Sequence, residues 1–297
     1  MTLAAVFPGQ GSQYVGMGID LLGRFPQIVD ILELGDEIAD RPISRVMAGG
    51  PKDLLDDTLN AQPAIFITNY IYWRLLKQEG LEVDYAAGHS LGELSACLAA
   101  GVFSFEDGLS IVKRRSELMA EASAGAAGGM LAVLGLEDAR VVEIAAAAGI
   151  EPANYNCPGQ VVVAGPMDKL ERGADAFKSA GAKKVTKLAV SGAFHSSAMK
   201  TPARLFGRWL EDIDFADPLM PVIGNADAEP LLTAKAVKEA LARQLVSPVR
   251  WQAGIERLIR RGVTGFVEVG PGRVLSGLIR RISPEVTIEH AVDKLGA

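Results

Sequence analysis

Cysteine, histidine and basic charge are all scarce in this 297-residue chain, which carries two Cys, three His and 30 Lys plus Arg against 36 Asp plus Glu. Cys97 and Cys157 show no C-x-x-C spacing, which excludes a disulfide framework. They read as small buried hydrophobes in a protein of the reducing cytoplasm. The net charge of −6 excludes nucleic acid as the main partner, since phosphate binding needs a basic surface. No basic residue precedes Arg24, so a secretory signal with a charged leading region is not expected. The uncharged stretch Met1–Ile19 carries Pro8, four glycines and two glutamines, so it is not expected to span or bind a membrane. No G-x-x-x-x-G-K-[ST] phosphate loop occurs, and Tyr14 stands where a dinucleotide fingerprint needs its last glycine.

What remains is an ordinary globular composition, 49% hydrophobic and 22% charged, long enough for one large or two modest domains without a disulfide or metal staple. Leu3–Phe7 has the length and apolarity of a strand and enters the loop Pro8-Gly-Gln-Gly-Ser-Gln13. Residues 62–78 read as a buried helix, Val83–Ala87 as a strand, and a further helix covers Glu106–Glu121. Ala122–Gly129 is a small-residue break with the composition of a linker. Beyond it the pattern is strand Met130–Leu136, helix Asp138–Ala148, strands Pro152–Asn156 and Gln160–Ala164, helix Asp168–Ala180 and strand Lys183–Val190. That β-α-β-β-α-β order is ferredoxin-like. Helices then follow at Ser197–Leu210, Ala234–Leu245 and Arg250–Arg261, with strands at Pro221–Ile223 and Gly265–Val269 and a last helix ending at Ile282. The expected fold is α/β: a body with a mostly parallel sheet from residues 1–124 and 194–297, with residues 125–193 inserted as a small subdomain.

Gly88-His-Ser-Leu-Gly92 fits G-x-S-x-G between a strand and a helix. Glycines flank the serine because the turn is too tight for side chains there. Ser90 is therefore the candidate nucleophile, and an ordinary helix cap is the alternative. Three histidines limit a histidine base to His89, His195 and His290. His89 neighbours the serine, and adjacent side chains on such a turn point apart. His290 would fit a Ser…Asp/Glu…His order with Asp212, Asp217 or Asp227, but it lies in an alternating run that resembles a terminal strand. His195 lies in a small-residue loop, where functional groups concentrate, and is favoured. Arg115 sits in an apolar helical stripe with Ile111, Val112, Leu118 and Met119. A buried guanidinium needs an anion, either a core carboxylate or a substrate carboxylate held bidentately; the residues alone favour the core ion pair.

In chain order the sequence carries Phe7-Pro-Gly-Gln-Gly-Ser-Gln13, Gln62-Pro-Ala64, Gly88-His-Ser-Leu-Gly-Glu93, Arg115 and Asn154-Tyr-Asn-Cys-Pro-Gly-Gln160. Phe194-His195, Gln244, Ser247-Pro-Val-Arg-Trp251 and Glu268-Val-Gly-Pro-Gly272 follow. From Phe7 to Ile282 this set resembles the malonyl-CoA:acyl carrier protein transacylase family, including polyketide synthase acyltransferases. The resemblance implies a hydrolase-like body with a ferredoxin-like insert, and a malonyl group passing from malonyl-CoA to a carrier thiol through an acyl ester on Ser90. It implies His195 as base, oriented by the backbone carbonyl of Gln244, and the amides of Gln10 and Leu91 as oxyanion hole. Arg115 becomes the ligand of the malonyl carboxylate, which replaces the ion-pair reading; Asn156 joins the substrate-binding residues. Phe194 is implied to restrict the acyl pocket, favouring malonyl over methylmalonyl, and together with Ser247 it leaves both fatty-acid and free-standing polyketide synthesis open. Coenzyme A enters as a thioester substrate, with no bound cofactor and no metal. An acidic carrier calls for basic docking patches, for which Lys183, Lys184, Lys187, Arg204 and Arg208 are candidates. The competing functions are a serine hydrolase acting on acyl carriers and a non-catalytic carrier-binding protein.

Overall fold

The computed structural model describes residues 2–125, 127–190 and 192–296. Strand β1 (Thr2–Phe7) lies at the centre of the larger sheet, and its residues from Ala4 to Phe7 are fully buried. Three helices that the sequence did not announce follow: α1 (Val29–Ala39), α2 (Ile43–Gly49) and α3 (Lys52–Asp56). Helix α4 (Thr58–Gln78) starts four residues before the expected Gln62. Asp57 caps it by accepting from the Leu59 N–H at 2.9 Å, and Pro63 is accommodated inside the helix rather than opening it.

Strand β2 (Tyr85–Gly88) leads through the Ser90 turn into α5 (Gly92–Ala99), and α6 (Phe105–Ala124) runs beside it. Because α6 continues to Ala124 and the next strand begins at Gly128, most of the expected linker Ala122–Gly129 is regular structure. Of the residues left between them, Ala126 lies outside the described ones.

The second sheet comes from β3 (Gly128–Leu134), β4 (Glu151–Cys157), β5 (Gln160–Pro166) and β6 (Lys184–Lys187), with α7 (Asp138–Ala148) and α8 (Met167–Ser179) between strands. It is antiparallel in the order β4-β5-β3-β6, the ferredoxin-like arrangement. Strand β3 begins two residues earlier than expected because Gly128 and Gly129 pair with Pro166 and Gly165. Strand β6 is shorter than expected and ends at Lys187.

The chain then completes the larger sheet through α9 (Lys200–Glu211), β7 (Val222–Ile223), β8 (Pro230–Leu231), α10 (Ala234–Gln244) and α11 (Trp251–Arg260). Last come β9 (Val263–Glu268), α12 (Val274–Ile282), β10 (Thr287–His290) and α13 (Ala291–Leu295). The order is β10-β9-β1-β2-β7-β8, parallel throughout except for β8. Phe7 of β1 stands opposite Gly88 of β2, so the two strands release their loops side by side at the carboxyl edge, where open α/β sheets place ligands. The edge of β4 is clamped to the body by Tyr155 N–H donating to Val249 O and Val249 N–H donating to Ala153 O, both at 2.8 Å. This clamp brings the two sheets together around one cavity. Among the described residues no helix is long and apolar enough to cross a membrane.

Candidate active site

Ser90 follows β2 with φ of 53°, in the left-handed region that costs a non-glycine residue about 1–3 kcal/mol. The surrounding glycines make that conformation possible. A Cβ on Gly92 would lie 1.9 Å from the Phe7 carbonyl oxygen, and one on Gly88 would lie 1.9 Å from Gly92. Gly9 comes so close to the same turn that a Cβ there would meet the His89 carbonyl oxygen at 2.3 Å. The first loop is thus packed against the serine turn by residues that only glycine can supply.

The Ser90 hydroxyl donates to His195 Nε2 at 2.7 Å, and His195 Nδ1 donates to the Gln244 carbonyl oxygen at 3.0 Å. A carbonyl only accepts, so the proton of the neutral ring sits on Nδ1 and the lone pair on Nε2 faces the serine. His195 is itself left-handed, with φ of 57°, and is buried. Burial, and after it the Arg115 charge, push its imidazole down to about 3. The base is therefore unprotonated at neutral pH.

Arg115 is 1% exposed among the residues of its predicted stripe. Nη1 donates to Gln62 Oε1 at 2.6 Å, while Nη2 donates to Gln244 Oε1 at 2.8 Å and to Ser90 Oγ at 3.2 Å. Among the described residues it makes no salt bridge, so the core ion pair favoured by the residues alone is not formed. Burial lowers the guanidinium to about 10, which leaves it cationic at neutral pH.

The Ser90 amide is already engaged, donating to Asn225 Oδ1 at 2.7 Å. The amides of Leu91 and Gln10 have no acceptor among the described residues, and both residues line the cavity. They are the donors free to meet an oxyanion. That cavity, of about 250 Å³, has Phe194, Met119, Met130 and Val162 among its walls. It is smaller than a pocket for a drug-sized ligand and suits a short acyl group. Asn156 also lines it and accepts from His89 Nε2 at 2.8 Å, so His89 is held against the wall rather than beside the serine hydroxyl.

His290 is placed elsewhere: its Nδ1 lies 3.3 Å from Ser276 Oγ and 3.9 Å from Glu268 Oε2, at the end of β10. Asp227 pairs with Arg243, Asp217 accepts from the first N–H of α10, and among the described residues no carboxylate touches His195. Three contributors escaped the sequence reading. Asn225 braces the turn from the end of β7, also donating to Gly88 O at 2.7 Å; its one signal is its place after a strand adjacent to β2. Gln62 and Glu93 had been noted only as parts of motifs, yet both are fully buried and polar.

Residues 5–287 match the acyl transferase domain. The chain belongs to this family. The matched stretch holds every residue of the acyl transferase cavity described above and leaves out His290. The chain is 39% identical to the malonyl CoA-acyl carrier protein transacylase of Bacillus subtilis, over 99% of this chain and 97% of that one. It is 43% identical to the polyketide biosynthesis protein ThaF of Burkholderia thailandensis over 95% of this chain, but only 24% of that much longer protein. Among solved structures, a malonyl-transacylase in complex with its type II polyketide synthase acyl-carrier protein superposes with a TM-score of 0.94 at 37% identity, covering 98% of this chain and 96% of that one. The acyl transferase fold seen here, a hydrolase-like body with a ferredoxin-like insert, is the fold of that structure.

Proposed function

We propose that this acyltransferase moves a malonyl group from malonyl-CoA to the phosphopantetheine thiol of an acyl carrier protein through an ester on Ser90. The observation that carries the reading is Arg115. It is a buried cation, surrounded by neutral oxygens and within 3.2 Å of the Ser90 hydroxyl, and its position suits the free carboxylate of a charged acyl group. Ordinary ester and thioester substrates carry no such carboxylate.

In the first half-reaction His195 Nε2 takes the Ser90 proton as Oγ bonds to the thioester carbon. The oxyanion so formed is met by the Leu91 and Gln10 amides. Collapse breaks the carbon–sulfur bond, and CoA leaves with the proton returned by His195. The second half repeats these steps with the carrier's thiol as nucleophile and Ser90 as leaving group. Phe194, on the cavity wall, limits the room beside the α-carbon, so methylmalonyl-CoA is the poorer substrate. Asn156 acts through His89 on the same wall.

The carrier's acidic surface is matched by Lys183 and Lys184, which line a second cavity with Arg281. Arg281 donates to Gln160 Oε1 at 2.6 Å, and Gln160 lines the acyl cavity, so these basic residues adjoin that cavity. We also propose that residues 125–193 form an inserted ferredoxin-like subdomain, which its own four-stranded sheet supports. The buried free cysteines support a reducing, cytoplasmic setting, and the reaction needs no bound cofactor. Incubation with radiolabelled malonyl-CoA and holo-carrier tests the reading. Label on the carrier is expected; free malonate alone would identify a hydrolase, and no turnover would identify a binding protein.

A further inference from the structure

Glu93 closes the motif that begins at Gly88, yet the reaction above assigns it nothing. It is fully buried on α5, and its two oxygens face in different directions. Oε1 accepts from the Asn225 N–H at 3.2 Å, and Oε2 accepts from Gln244 Nε2. The same Gln244 nitrogen donates to the Ser90 carbonyl oxygen at 2.9 Å, while Gln244 Oε1 accepts from Arg115 Nη2 at 2.8 Å. A carboxylate with both ends accepting therefore stands one amide away from the guanidinium that lacks an ion pair.

An amide has a donor end and an acceptor end, and it turns over unless its neighbours forbid it. Here the guanidinium needs an acceptor, so Gln244 must present oxygen to Arg115 and nitrogen to the opposite side. The Ser90 carbonyl and Glu93 Oε2 both accept from that nitrogen, and an ionised carboxylate also accepts from the Asn225 N–H at its other end. We infer that Glu93 is a positioning residue for recognition of the charged acyl group: it fixes the polarity of the Gln244 amide and thereby holds Arg115 ready for the substrate carboxylate. The inference rests on the malonyl-transfer reading. It also gives the buried cation a counter-charge at second remove, close enough to steady it and too far to compete for its place at the serine.

Replacing Glu93 by glutamine, or protonating it, puts a donor against either Asn225 N–H or Gln244 Nε2. Gln244 is then held in place by the Ser90 carbonyl alone, and its oxygen is presented less firmly to the guanidinium. The titratable groups bearing on Glu93 are Arg115 from α6, Asp227 from beyond β7 and Cys97 one turn along α5. Burial raises the Glu93 carboxyl to about 7 despite the opposing effects of Gln244, Asn225 and Arg115. His195, held near 3, does not titrate in the neutral range.

The test compares kcat/KM for malonyl-CoA and acetyl-CoA, because a general loss of structure lowers both while a misdirected Arg115 lowers only the first. In Glu93→Gln the malonyl-to-acetyl ratio is expected to fall by roughly tenfold or more, the size of one lost hydrogen bond to a charged group. In the unmodified enzyme the same ratio is expected to fall as pH drops from about 8.5 to about 6, and this arm needs no variant to fold. An unchanged ratio in a folded Glu93→Gln, or a ratio flat with pH, overturns the inference. Arg115→Ala run alongside separates the two levels. If it loses the preference while Glu93→Gln keeps it, only the role of Glu93 fails. If neither variant alters the preference, the malonyl reading fails too.

Discussion

His195 stays neutral because it is buried beside a cation, and that same burial links folding to pH. Its ordinary pKa is near 6.5 and its folded value near 3, so the unfolded chain binds the extra proton. Stability contributed by the neutral ring is complete above about pH 6.5 and is lost progressively as pH falls towards 3. At pH 5.5 the loss amounts to about 1.4 kcal/mol. His195→Asn, which cannot take the proton, is expected to lose about 1.4 kcal/mol less between pH 7.5 and 5.5 in urea unfolding. An identical pH slope in both proteins would show that His195 is not held neutral. Activity separates the histidines differently. Ser90→Ala and His195→Ala are expected to lose at least about 10³-fold in kcat. His290→Ala, remote from the cavity, is expected to keep its kcat while unfolding more easily, and an inactive but folded His290→Ala would remove His195 from its role.

At the scale of elements, α12 carries the clearest unadvertised device. Both oxygens of buried Glu268 accept from its first turn, from Leu275 N–H at 2.9 Å and Ser276 N–H at 2.8 Å. A side chain from the end of β9 thereby caps a helix that presents Val274 and Leu278 to the acyl cavity. Glu268→Ala orphans both amides, which is expected to cost about 2–3 kcal/mol in urea unfolding and to raise KM for malonyl-CoA more than it lowers kcat. Equal stability of the variant would mean that other groups cap the helix. The same scale explains what the sequence disclosed. The β-α-β-β-α-β order was legible because β3 and β5 are short apolar runs and α7 and α8 have clean bounds, whereas β4 and β6 are mixed in polarity. Ser90 was legible because its glycines are local requirements. Helices α2 and α3 were not, being seven and five residues long and preceded by Pro42 and Pro51 without a side-chain cap. Asn225, Gln62 and Glu93 were illegible as site residues because their partners lie 53 or more residues away in sequence, and only folding brings them to Ser90, Arg115 and Gln244. Arg115 lies between these cases: its helical stripe discloses that it is buried, the family resemblance replaces the core ion pair with a substrate carboxylate, and among the described residues the structure shows no salt bridge to it.

Across the whole molecule, the chain carries a net charge of −6, so the proposed docking of an acidic carrier calls for local basic faces. Lys183, Lys184 and Arg281 line a second cavity together with Glu137, and Arg281 reaches Gln160 of the acyl cavity, whereas Arg204 and Arg208 are exposed on α9. Reversing charge at Lys183 and Lys184 is expected to lower kcat/KM for the carrier roughly tenfold at low salt, with a smaller effect at high salt, and to leave acylation by malonyl-CoA intact. If only reversal at Arg204 and Arg208 does this, docking belongs to α9 instead. The two sheets together enclose the Ser90 hydroxyl, with the Arg115 guanidinium and the neutral His195 imidazole beside it. The most direct measurement is to quench the enzyme after exposure to labelled malonyl-CoA, digest it and locate the label, before and after adding holo-carrier. The account predicts label on the peptide containing Ser90, its passage to the carrier thiol, and no labelled peptide in Ser90→Ala. Label on another peptide, or label reaching the carrier in Ser90→Ala, would contradict it.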